Sequence, residues 1–179
     1  MTTTSRRPGV DELVHHAKEP LSPAAGPYGH PFHPMLVTVP IGAWVCSLVF
    51  DIATRASGDG APGLVEGAYW LVAIGVIGAL LAAAAGAMDL MRIPGRTKAM
   101  RIGITHMLLN LAVTAAMAVN LIWRNDTYTE TVRTEWGQLL LSALALTVLG
   151  VSGWLGGQLA YRYGVRVADE RDQVEGFVR

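Results

Sequence analysis

The chain has 179 residues, of which 51% are apolar and 16% charged, and its formal net charge is zero. That is the length of one ordinary domain, but the charge is too sparse to cover a soluble surface. A neutral chain also lacks the global field that draws in nucleic acid, so no nucleic-acid partner is expected.

Residues 1–27 read as a polar tail carrying Arg6, Arg7, Lys18 and the pair His15–His16. Nothing in it has the apolar core of an export signal, so the first hydrophobic span is expected to act as insertion signal and stay in place. Asp11-Glu12-Leu13-Val14 is read as a short amphipathic turn. Six of the nine prolines fall in residues 20–40, which predicts an extended or bent segment. The first span is placed at about 35–53. Pro34 suits its first turn, and Pro40, two turns in, predicts a kink. Asp51, near its end, is expected to snorkel to the surface, and Cys46 to pack inward as a small hydrophobe.

A Gly/Ser/Pro/Asp loop leads to a second span at about 66–91. Gly78, Ala82 and Gly86 stand at four-residue spacing there, a stripe that lets helix backbones approach closely. Pro94-Gly95 marks a turn. A third span follows at about 102–123, a mixed-charge loop, and a fourth at about 136–161. Residues 165–179 form a charged tail. Residues 35–50, 67–88, 102–123 and 136–161 contain no Asp, Glu, Lys or Arg. Three of these runs exceed the roughly 20 residues that cross a bilayer. The fold class is therefore an all-α integral membrane bundle of four transmembrane helices occupying residues 28–164.

Cations set the orientation. Eleven Lys and Arg lie in the two tails and the 92–101 loop, against Arg55, Arg124 and Arg133 elsewhere. The positive-inside rule then puts both termini on the cytoplasmic side of the cell membrane.

With that topology, the polar residues gather at one depth. His30 and His33 open the first span, Asp89 and Arg92 end the second, His106 and Asn110 open the third, and Gln158, Tyr161 and Arg162 end the fourth. Ionisable groups inside a bilayer are costly and mark function by default. Two imidazoles on different helices at matching depth suit axial ligation of a b-type haem, with Gly78, Ala82, Gly86, Gly153 and Gly157 admitting the macrocycle. Arg92, Arg96, Tyr161 and Arg162 would then meet its propionates, and Asn110 would hold the free nitrogen of His106. A second reading is a non-haem iron or zinc site of His30, His33, Asp89 and His106. A third is a non-catalytic anchor or scaffold subunit, with no cofactor, whose polar layer specifies packing in a homo- or hetero-oligomer.

The segment Gly29-His30-Pro31-Phe32-His33-Pro34, then Pro40-Ile41-Gly42, Trp44 and Asp51, resembles the opening of the DUF2231 membrane proteins. The resemblance continues at Gly86, Asp89-Leu90, His106 with Asn110, and residues 156–164, where Ala160 replaces the family's usual Val. It implies a four-helix membrane fold. Because some members accompany Rieske-type iron–sulfur domains, it also implies membrane electron transfer with such a partner as a separate chain.

Overall fold

The structure is a computed structural model and describes residues 9–178. Arg6, Arg7 and Arg179 lie outside them. In chain order the helices are α1 (Val10–Lys18), α2 (Phe32–Leu36), α3 (Thr38–Ala56), α4 (Pro62–Leu90), α5 (Lys98–Asn125), α6 (Trp136–Gly157) and α7 (Glu170–Glu175). A 3₁₀ turn stands at Pro23–Ala25, and Gln158–Arg162 continues α6 as a π turn. No strand occurs among the described residues. The four apolar spans, α2 with α3, α4, α5, and α6 with its π turn, have 25, 29, 28 and 27 residues. At 1.5 Å per residue each is roughly 37–44 Å long, enough to cross a hydrocarbon core of about 30 Å. All four outrun the charge-free runs because polar residues extend each helix into the interface.

Local chemistry marks the helix ends. Pro62 begins α4, where its missing N–H has no partner to lose. Thr97 caps α5, its hydroxyl accepting the Met100 amide at 3.1 Å, and Glu135 with Gln138 forms a capping box on α6. The kink expected at Pro40 sits earlier, at Val37 between α2 and α3. Pro40 has no N–H for the Leu36 carbonyl four residues back, so the helix breaks just after that residue.

The spans run up and down, with α3 packed chiefly along α4, α5 on both α4 and α6, and a shorter seam between α3 and α6. Glycines permit the closest approaches: Gly67 receives Phe50, Gly137 receives Trp123, and Gly78 receives Val39 and Pro40. The mid-bundle core is Trp44, Val72, Val113, Met117 and Ala145. Outward faces carry exposed Ile74, Ile77, Leu80, Leu140, Leu144, Val151 and Trp154, side chains that lipid solvates and water does not. Cys46 also faces outward, so it does not pack inward as expected.

Both tails fold back on the same end of the bundle. The Arg166 side chain, 4% exposed, donates to the carbonyls of Lys18, Ala25 and Gly26. It also pairs with Asp89 at 2.8 Å. Lys18 meets Asp169 at 2.6 Å and holds that carboxyl below the ordinary range. Tyr28 donates to Asp172 and accepts from the Asp169 amide. The charged C-terminal segment is thus half of a cap, and the proline-rich strap, residues 19–31, is the other half.

Candidate functional site

Two polar layers lie inside the bundle, one near the cap and one at the opposite end. In the near layer, α2 supplies His33 and α5 supplies His106. Their ring centres are 6.2 Å apart and their planes stand at 89°. His33 Nδ1 lies 2.8 Å from the Ala82 carbonyl of α4. His106 Nδ1 lies 2.7 Å from the Ser152 carbonyl of α6. A carbonyl only accepts, so each Nδ1 carries a proton and donates it. Anchoring Nδ1 on a carbonyl leaves Nε2 with the lone pair, which is how ligating histidines are commonly held.

Asn110 does not hold the anchored nitrogen as expected. Its amide donates to the His106 carbonyl at 3.0 Å and to His106 Nε2 at 3.1 Å. The Ser152 backbone takes the anchoring place because α6 passes directly over the ring, with Gly156 against it. A ligand on His106 Nε2 would therefore displace the Asn110 side chain. Ser152, which the sequence did not single out, is fully buried, and its hydroxyl also reaches the His106 carbonyl at 3.2 Å.

The remaining expected residues divide. His30 is exposed and stays outside the pair. Asp89 is committed to Arg166, whose guanidinium reaches it because the tail folds back. Among the described residues no three His, Cys, Asp or Glu side chains gather closely enough to hold a metal ion, so the four-residue metal set does not assemble. Arg92 is engaged with Glu19 at 3.2 Å, whereas Arg96, Tyr161 and Arg162 are exposed at the same end.

The expected small-residue slot is filled inside the bundle, and the open positions lie on its outer face. Val39 and Pro40 occupy the space at Gly78, and His33 occupies it at Gly86. Around Gly150 and Gly153 a side chain would meet nothing within 4 Å. At 100° per residue these two share a flank of α6 with Trp136, over which Arg55 of α3 stacks at 4.6 Å. Gly150 and Gly153 are exposed and lie next to the outward-facing Val151 and Trp154, so that open space faces out of the bundle, away from the buried Ser152. The filled side makes a prediction. A methyl group at Gly86 would sit 2.8 Å from His33 Nδ1 and Cε1. Gly86→Ala should push the imidazole off Ala82 and lower any affinity that depends on it at least tenfold, with the helix content by circular dichroism unchanged. Unchanged affinity would mean that His33 has room to move.

In the far layer, Asp51 accepts from both Nη atoms of Arg124 at 2.8 and 2.7 Å, with neither residue more than 2% exposed. Thr134 donates to the same carboxylate at 2.8 Å, Asn120 accepts from Arg124 Nε at 3.0 Å, and Ser142 accepts from Asn120 at 2.8 Å. This corrects the expectation that Asp51 snorkels, because Arg124 turns inward from α5 to meet it. Asn120 and Arg124, one turn apart at the end of a span, were the available signal.

A family model described as "Predicted membrane protein (DUF2231)" matches residues 29–169. No curated protein and no solved structure matches the chain.

Proposed function

The chain belongs to the DUF2231 family of predicted membrane proteins, and from that premise we propose that it is a membrane redox subunit holding a b-type haem between His33 and His106. The spacing of the two rings carries the reading. His33 and His106 would hold the haem from two different spans, which asks that their rings come close together at one depth. The observed separation is 6.2 Å.

The donor set agrees. Two protein ligands are few for a bare ion, whereas a haem iron already held by its porphyrin would need no more than His33 and His106 from the protein. Bound there, the haem would supply reversible one-electron chemistry. The chain's own residues supply the rest. The Ala82 and Ser152 carbonyls hold the imidazoles in one tautomer and fix where each ring stands. Arg96 and Arg162 are exposed cations at the capped end and would meet the propionates. The excess of Lys and Arg at the capped end supports placing that end in the cytoplasm. The hydrogen bond from Asn110 to His106 Nε2 favours one other reading, a scaffold subunit in which the histidines are packing elements.

Protein purified in detergent after expression with haem supplied should show a Soret band. His33→Ala and His106→Ala should each remove it. His15→Ala, on the exposed face of α1, should leave it intact. A parent protein without the band, or a band surviving both substitutions, would give the scaffold reading first place.

A further inference from the structure

The two halves of the cap are held unequally. The N-terminal half is tied to the bundle through Arg92, which meets Glu19 at 3.2 Å and whose carbonyl lies 3.0 Å from His16 Nδ1. The C-terminal half, residues 163–178, continues the π turn and has one further contact with the bundle, Asp89. Its other polar partners among the described residues all belong to the N-terminal half: Ala17, Lys18, Ala25, Gly26 and Tyr28. Apolar burial adds little. Among the described residues of the cap the buried apolar ones are Ala17 and Ala25, whereas Val14, Leu21, Val174 and Phe177 are exposed. A segment with so few buried apolar contacts opens before the body it rests on. Arg166 also holds φ at 60°, a left-handed backbone that a residue with a Cβ rarely adopts. The closed form therefore carries strain that release relieves.

We propose that residues 163–178 are a latch on the capped end, with Arg166 as its catch, and that its release uncovers Asp89 to water on that side. Shut, the latch leaves Asp89 8% exposed. Open, it starts a polar path at Asp89 that continues one turn deeper at His33, which packs on Gly86, three residues earlier on the same face of α4. The four spans stay as they are, because their apolar core takes no part in the latch. The latch thus regulates access to the histidine layer from one side, whatever that layer binds.

Amide hydrogen exchange, read by mass spectrometry in detergent, tests this. The amides of Arg166 and Asp169 donate across the cap, to the Ala17 carbonyl and the Tyr28 hydroxyl, so their exchange reports parting of the halves. Both should exchange about tenfold or more faster than amides in the middle of α4 and α5. Arg166→Gln should speed Asp169 further and leave the spans unchanged. A disulfide lock supplies the second arm. A Cβ at Gly29 would stand 3.9 Å from that of Ala168, within disulfide range. In Gly29→Cys with Ala168→Cys, carrying Cys46→Ser, oxidation should slow both amides about tenfold or more relative to the reduced form. Labelling of Asp89 by a water-soluble carbodiimide with an amine should slow in parallel. Comparing two redox forms of one variant cancels the strain of a side chain at Gly29, where φ is 76°. Latch amides as protected as the spans, equal exchange or equal Asp89 labelling in the two redox forms, or an Arg166→Gln variant whose spans loosen with the cap, would each overturn the proposal.

Discussion

Arg124→Ala should destabilise the protein by about 3–5 kcal/mol, because it leaves Asp51 as an unpaired buried carboxylate. Against a total stability of about 5–15 kcal/mol for a folded domain, that is roughly a fifth or more of the margin. Asp51 is fully buried and bidentate to Arg124, and the pair ties α3 to α5, with Ser142 adding α6. Breaking it thus removes a link among three of the four spans. Combining Arg124→Met with Asp51→Leu should restore part of the loss, since no charge is then left behind. Recovery stays incomplete, because Asn120, Thr134 and Ser142 lose partners inside the bundle. Thermal unfolding in detergent, followed by size-exclusion chromatography, reads both. A single variant as heat-resistant as the parent would mean that the Asp51 carboxyl finds water or a proton at little cost.

The second large effect is steric. A methyl group at Gly75 would overlap the indole of Trp44 at Nε1, Cδ1 and Cε2. Trp44 is the largest fully buried side chain, and its indole donates to the Val72 carbonyl at 3.3 Å. It cannot swing aside without leaving that bond and opening the core. Gly75→Ala should therefore cost about 1–3 kcal/mol, the range for overpacked cores. Gly42→Ala is the matched control, since a side chain there meets nothing within 4 Å, and it should stay within about 0.5 kcal/mol of the parent. Equal unfolding temperatures for the two variants would show that α3 and α4 separate readily at this depth.

The division between sequence and tertiary structure follows from the physics of each claim. Hydropathy and run length are local, so they determined that four helices cross the membrane and, with the turn residues, roughly where each begins and ends. Depth is nearly local too: once the helices alternate in direction, residue number gives height in the bilayer, which is why His33 and His106 were legible as a pair. Rotation about a helix axis is not local. It is settled by which glycine receives which side chain, as at Gly75 with Trp44 and Gly86 with His33. That rotation turned Arg124 and Asp51, 73 residues apart, toward each other and Cys46 toward lipid. The partners of the two Nδ1 atoms were beyond reach for a further reason. They are backbone carbonyls, of Ala82 and Ser152, and every residue has one. Composition and spacing determined that two imidazoles share a depth, and packing alone decided which nitrogen of each meets a backbone carbonyl.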